Sequence, residues 1–477
     1  VFGYDSHLGF PENEGVILDF NNLPTTFFYQ QIPISLGNCN VAISDQEGSL
    51  IFYTNGCQII DSTNNVMLNG DSINVGEVHF EQCDFTYPSG TQSLIGLPLP
   101  MDSNLYYIFH KRVVIVEEPE LTILPNNFLY SVIDMSLNEG KGAVVEKNEL
   151  ILEDTLSFGE MTAVKHANGD DWWIITSKRF SNQYLIFHFS NEGVELVNEQ
   201  EIGLPSTVHG GQVNFSPNGK YFARYVPQDG VFLFDFDRAT GSLSNFRHIP
   251  IEDDAIVGGA IFSPSSELLY ISSQLALYQY DLLESDIFNS KITIDTFDGY
   301  QSPFFTTFFN GQLAPDCKIY INTFATVDVL HTIHNPNERG IACNFEQHAV
   351  QLPFNHLRSI PHYPNYRLGP LVEGEKPTPP CETLVGVGEQ ISTNQKLMTL
   401  FPNPTNGELN VEFQELLLED AALKIYSQTG QLVRAYKLSA GQQAFQFHLQ
   451  DLPVGFYFYH VETKANNVQF TGKLVKM

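Results

Sequence analysis

Phe215-Ser216-Pro217-Asn218-Gly219-Lys220-Tyr221-Phe222 decides the fold, because it recurs. It returns as Phe262-Ser263-Pro264-Ser265-Ser266-Glu267-Leu268-Leu269 and, decayed, as Leu313-Ala314-Pro315-Asp316-Cys317-Lys318-Ile319-Tyr320. Each copy reads as a strand end, a turn led by the fixed φ of proline, and a second strand rich in aromatic and β-branched residues. The first two copies continue into a third strand, Val231-Phe232-Leu233-Phe234-Asp235-Phe236 and Leu277-Tyr278-Gln279-Tyr280-Asp281-Leu282. Weaker versions lie upstream, at 42–53, 99–108 and 164–174. With Ile51, Tyr106, Trp173, Phe222, Leu269 and Tyr320 as equivalents, the spacings are 55, 67, 49, 47 and 51 residues. A period near fifty that holds four short strands is a propeller blade.

Six blades are visible, and the expected count is seven. Residues 1–37, with Gly15–Phe20 as a strand, and Leu357–His362 are left over to build a last blade from both chain ends. An eight-bladed ring and two packed sandwiches are the alternatives. Only two short stretches, Glu415–Ala422 and Asp281–Phe288, are helix-like. The expected domains are a β-propeller over 1–370, a linker over 371–395 and a small domain over 396–477. The linker reading rests on Lys376-Pro377-Thr378-Pro379-Pro380 followed by Gly386-Val387-Gly388, a composition that favours extended chain.

The last domain begins Leu400-Phe401-Pro402-Asn403-Pro404-Thr405-Asn406-Gly407 and then alternates as Glu408-Leu409-Asn410-Val411-Glu412-Phe413, a turn feeding a half-buried strand. Six or seven short strands at this spacing make a small immunoglobulin-like β-sandwich. The ordered set Pro402, Asn403, Pro404 and Gly407, then Gly430, then Leu452, Pro453, Gly455 and Tyr457, then Lys473 and Lys476 closely resembles the type A C-terminal sorting domain of type IX secretion cargo. The resemblance implies a Gram-negative bacterium, the type IX secretion machinery as a partner, and export to the outer cell surface or the medium. In that family the domain is often removed after translocation.

Residues 1–365 resemble a family of secreted propeller proteins that commonly carry this sorting domain. The marks are Phe2, Gly3, Leu8 and Phe10; Cys39, Ile43–Asp45 and Phe52–Gly56; Tyr130–Met135; and Ala163–Trp173. That resemblance implies the fold and no activity.

The 477 residues are 43% hydrophobic and 13% aromatic, enough for real cores. Asp plus Glu number 55 against 24 Lys plus Arg, a net charge of −31. From 396 onward seven basic residues match seven acidic ones, so the excess lies in the body. Such a surface repels phosphate backbones and anionic lipid, which argues against nucleic-acid and membrane-surface binding. It attracts cations, so calcium is the one ion considered, although Asp-x-Asp-x-Asp-Gly spacing is missing around Glu117, Glu118 and Glu120. No run of about 18 apolar residues forms a membrane span. No charged n-region and apolar h-region stand at Val1, so a mature N-terminus is expected.

Six cysteines allow fifteen connectivities. Cys57 with Cys83, and Cys317 with Cys343, are the candidate pairs. No Cys/His metal spacing is present, and no metal site is assigned.

Candidate ligand-binding residues are few. His209-Gly210-Gly211 and Val257-Gly258-Gly259 precede two first strands, where neighbouring strands crowd and glycine permits close approach. The functional alternative places His209 at the channel mouth beside Asp253 and Asp254. Asp170 and Asp171 ahead of Trp172 have the make-up of a glycan subsite, and equally of a solvated hairpin turn. Gly-x-Ser-x-Gly, a P-loop and His-Glu-x-x-His are all missing from the sequence, and no catalytic residue is assigned. The expectation is a non-catalytic exported propeller that binds a surface glycan or protein, or that self-associates as the subunit of a fibre or sheath. The alternative is a secreted hydrolase or lyase acting on polysaccharide.

Overall fold

The computed structural model describes residues 1–21, 25–117, 121–358, 360–372, 398–402, 405–413, 420–427, 432–463 and 468–476. The chain divides into two compact units, Val1–Leu384 and Val385–Met477. Most of the expected linker, with Cys381, lies outside the described residues.

The described residues of the first unit form seven antiparallel meanders. Blade 1 is Phe2–Gly3, Gly15–Asp19 and Thr26–Gln30; blade 2 is Val41–Ser44, Leu50–Thr54 and Ile59–Asp61. Blades 3 to 7 have four strands each and begin at Leu94–Pro98, Thr162–Lys165, Val213–Phe215, Gly259–Phe262 and Phe308–Leu313. First strands of neighbouring blades touch, so they line the axis. The six residues taken as equivalent all lie in second strands, within Leu50–Thr54, Leu105–Val116, Trp172–Ser177, Tyr221–Val226, Leu268–Ser273 and Ile319–Thr323.

Packing between blades explains why these second strands read as unbroken apolar runs. Successive side chains of a strand point to opposite faces, and here both faces are covered. Trp172 and Ile174 join a cluster shared with blade 3, whereas Trp173 and Ile175 join one shared with blade 5. Leu269 and Ile271 face blade 5, and Leu268 and Tyr270 face blade 7. Every one of the seven interfaces around the ring has its own buried cluster. The last of these sets Phe2 and Val16 of blade 1 against Tyr320, Leu330 and Leu352 of blade 7.

The repeat's turns share a backbone solution. Their third position is left-handed in all three copies, with φ of 72° at Gly219, 64° at Ser266 and 67° at Cys317. Ser216 Oγ accepts from the Tyr221 amide at 2.9 Å, and Ser263 Oγ from Leu268 at 3.0 Å.

Ring closure departs from the expectation. Leu357–His362 adds no strand to blade 1, whose three described strands all come from the N-terminal thirty residues. Closure between blades 7 and 1 is by side-chain packing and a backbone bond from the Asn355 amide to the Glu12 carbonyl at 2.9 Å, which leaves the segment after His356 to a different use, described below.

Among the described residues one α-helix, Glu77–Gln82, interrupts the β architecture; the helix-like stretch 281–288 is instead a strand end and turn before a 3-10 turn at Phe288–Ser290. Residues 415–419 lie outside the described residues. The second unit is a sandwich of a three-stranded sheet (Met398–Phe401, Glu408–Phe413, Ala444–His448) and a four-stranded one (Leu432–Leu438, Ala421–Ser427, Gly455–Thr463, Val468–Lys476) around a core that includes Leu409, Leu423, Ile425, Val461 and Leu474.

Candidate functional site

The centre of a propeller is the usual place to look for a site, and here it is filled. Gln92, just before blade 3, donates through Nε2 to the Val213 carbonyl at 2.9 Å and accepts at Oε1 from the Val213 amide at 2.8 Å. Gln212 treats Gly311 of blade 7 in the same way, at 2.8 and 3.2 Å. Asn310 completes the triangle by donating to Thr91 Oγ1 at 2.8 Å. Blades 3, 5 and 7 are thus stitched to one another across the axis.

The chain then threads what remains. His356 pairs with Val327, the start of blade 7's third strand, and so lies on the face where first strands begin. Beyond it the Arg358 carbonyl accepts from Asn322 at 2.7 Å, and the buried His362 ring contacts Gln92 at 3.0 Å and Thr162 Oγ1 at 3.2 Å. Tyr366 donates to the Gly96 carbonyl at 2.7 Å, and Asn365 to that of Pro217 at 2.9 Å. The Leu371 amide reaches the Ala167 carbonyl at 2.8 Å. Pro217 and Ala167 sit in turns that follow first strands, so the segment has crossed from one face to the other.

A depression remains on the face where first strands begin. Phe180, Thr207, Val208, His209, Pro227, Gln228 and Ile256 line about 270 Å³. Its walls are the turns between second and third strands of blades 4 and 5 and the loops leading into blades 5 and 6. The His209 ring stacks on Phe158, with centroids 5.0 Å apart, and lies 5.8 Å from Phe180, over which Arg179 sits at 4.4 Å. Burial lowers the His209 pKa, while Glu160 acts to raise it and Arg179 to lower it. The glycine pairs beside it are steric. A Cβ on Gly211 would meet the Tyr225 carbonyl at 1.7 Å, and one on Gly258 the Ser272 carbonyl at 2.3 Å.

Close by, a cluster of charges is closed to solvent. Glu160 and Arg224 pair at 2.8 Å with their side chains 0% and 1% exposed. Arg224 also donates to Ser206 Oγ at 2.9 Å and the Ser181 carbonyl at 3.2 Å; Ser177 Oγ donates to Glu160 at 3.2 Å. Lys111 donates to the Ser157 carbonyl at 3.0 Å. Burial pushes its amine down to about 7, against the pull of Glu160.

The sequence-predicted residues do not converge. Asp253 accepts from Ser273 Oγ at 2.9 Å and Tyr278 Oη at 3.0 Å, which ties it into blade 6, and Asp254 is exposed. The carboxylate acting on His209 is Glu160, which no motif or spacing marks. Asp170 and Asp171 form a hairpin turn on the opposite face, where Asp171 accepts from Asn168 at 2.8 Å and His188 at 3.1 Å. Trp172 is 0% exposed, with Lys165 4.0 Å from its ring centroid, and Trp173 donates to the Arg238 carbonyl at 2.7 Å. Neither indole offers a face to a sugar, because the strand that carries them is buried on both sides.

Cys57 and Cys83 are bridged, with Cα atoms 5.7 Å apart. The second candidate pair is not: Cys317 lies in the turn before Ile319–Thr323, and the buried Cys343 sits before Phe345–His356. Strand Val327–Ile333 runs between them, and two strand spacings of about 4.8 Å exceed disulfide reach. Among the described residues, Cys57, His79 and Cys83 are the one group whose donor atoms lie within metal-binding distance of each other, and both sulfurs are consumed by the bridge.

Of the sorting-motif residues, Asn403, Pro404 and Gly430 lie outside the described residues, and Pro402 lies beside them, just after the first strand. Lys473 lies in the last strand. Gly407, at φ 125°, accepts from the Leu449 amide at 2.6 Å, and Thr405 bridges to the buried Lys476. The Tyr457 hydroxyl donates to the Pro453 carbonyl at 2.8 Å, closing the turn that Gly455 follows.

Fold and site define an all-β propeller whose axis is crossed by side-chain hydrogen bonds, joined to a small sandwich. Residues 399–477 match the family described as Secretion system C-terminal sorting domain, and the chain is a propeller protein carrying that type IX export signal. No curated protein matches. Similar solved structures include the Dos1 propeller (8% identity, TM-score 0.39, covering 67% of this chain and 85% of that one). Others are the gluconolactonase XC5397 from Xanthomonas campestris (10%, 0.32, 68% and 92%) and the calcium-binding protein regucalcin from Agrobacterium tumefaciens (14%, 0.27, 57% and 95%).

Proposed function

We propose that the protein is a non-catalytic binding propeller, exported by the type IX machinery to the cell surface or beyond. Its partner would be a protein segment that places an apolar or aromatic side chain in the depression around Phe180, His209 and Ile256. The observation that carries this reading is the stitched axis. Where a propeller enzyme would gather substrate, Gln92, Gln212 and Asn310 bind backbone and side chains of facing blades. What remains on that face is a shallow hollow with Phe180 and Ile256 exposed at 45% and 59%. The carboxylates near it are committed as well: Glu160 holds Arg224, and Asp253 holds Ser273 and Tyr278.

The test has two arms. Protease shaving of intact cells should remove the protein, whereas a protected protein would place it elsewhere. Labelled protein should bind the envelope fraction of its own cells, and Phe180→Glu should lower that binding at least tenfold. Undiminished binding would move the partner to another surface. Release of reducing ends from a polysaccharide panel would replace this reading with the hydrolase or lyase.

A further inference from the structure

Among the described residues blade 1 has no outer strand, and its exposed edge is unlike the others. Thr26–Gln30 pairs with Gly15–Asp19 on one side and with no described strand on the other. The outermost strands of the four-stranded blades each carry charge: Glu146 and Lys147, Glu195 and Glu199, Arg247, Asp295, and Glu346. Charge on an edge blocks pairing with another chain. Blade 2's last strand is covered instead by a bridge from Val66 to Ile60. Thr26-Phe27-Phe28-Tyr29-Gln30 carries no charge, and Phe27, Phe28 and Tyr29 are 43%, 46% and 49% exposed. Tyr29 rests against Phe354 of blade 7 at 5.5 Å, which holds its ring in place.

We propose that this edge is the interface between two copies of the chain, pairing antiparallel about a two-fold axis at Phe28. That register sets Phe28 opposite Phe28, Phe27 opposite Tyr29 and Thr26 opposite Gln30. Aromatic cross-strand pairs stabilise a sheet, and no like charges meet. The two three-stranded blades become one six-stranded sheet. Because the contact is isologous, it closes at a dimer and builds no filament. Two bodies that share a net charge of −31 resist approach, so association should strengthen with salt.

Sedimentation of the full chain at 0.1 and 1 M NaCl, where the Debye length falls from about 10 to about 3 Å, tests this. The expected result is a concentration-dependent dimer favoured at high salt and abolished by Phe28→Lys, which opposes two ammonium groups. Mild oxidation of Phe28→Cys should give a covalent dimer well ahead of Val66→Cys, a comparably exposed site in blade 2. A monomer at every concentration and salt overturns the proposal, as does a dimer that survives Phe28→Lys. Should Phe28→Lys fail to fold, the cysteine pair decides, and equal crosslinking rates at the two sites overturn it.

Discussion

Gln92 and Val213, 121 residues apart, exchange two hydrogen bonds across the propeller axis: the side-chain amide of one meets the backbone amide and carbonyl of the other at 2.8 and 2.9 Å. A carboxamide has one donor and one acceptor group side by side, as a strand residue has. Gln92 therefore acts as a one-residue strand where no real strand fits.

Truncating it leaves the buried Val213 N–H and C=O without partners. Each unsatisfied group costs about 1–3 kcal/mol, so Gln92→Ala should destabilise the propeller by about 2–6 kcal/mol. Denaturant unfolding reads this directly. A loss below about 0.5 kcal/mol would mean that water takes over both bonds.

The Glu160–Arg224 pair is fully enclosed. Removing the carboxylate alone strands a buried guanidinium, at about 3–5 kcal/mol. Glu160→Ala should therefore be much worse than the double change Glu160→Leu with Arg224→Met. Equal losses in a double-mutant comparison would argue that the pair is hydrated.

Acid should loosen the threaded segment. Burial holds the His362 pKa down, from 6.5 to about 4. The unfolded chain then binds the proton more readily than the folded one, so this stabilisation is complete above pH 6.5 and lost as pH falls toward 4. It amounts to about 3 kcal/mol. His362→Gln should flatten the stability profile across that window, and an unchanged slope would assign the acid response to other histidines, such as His110 and His331.

The Cys57–Cys83 bridge closes a separation of 26 residues. On the chain-entropy account that contributes about 3.5 kcal/mol. Replacing both cysteines by alanine should lower the unfolding midpoint, and thiol reductant should then have no further effect on it. Continued sensitivity to reductant would point to a second bridge.

The repeat was legible because each turn needs proline, then a residue tolerant of positive φ, and each second strand is buried on both faces. Those demands act within eight residues and so leave a local mark, as Pro217, Gly219 and Phe222 show. The blade count followed from spacing. What did not follow was everything that depends on the axis. Gln92, Gln212, Asn310 and His362 are isolated polar residues whose partners lie in other blades, and no local pattern marks them. Trp172 misled for a related reason: its neighbouring acidic turn is exposed, whereas the indole itself lies between two sheets. Helix Glu77–Gln82 spans a turn and a half, too short for an apolar period to declare itself.

The thread from Arg358 to Leu371 also has a mechanical meaning. Its bonds fall one after another on blades 7, 2, 3, 5 and 4, through Asn322, Asn40, Gln92, Pro217 and Ala167. Tension arriving from the C-terminal side meets the ring first at Leu371 and then at each of these anchors in turn. The propeller is thus tied to its own tail as a rope is rove through a block, and a pull on that tail is spread over five blades before any strand begins to peel.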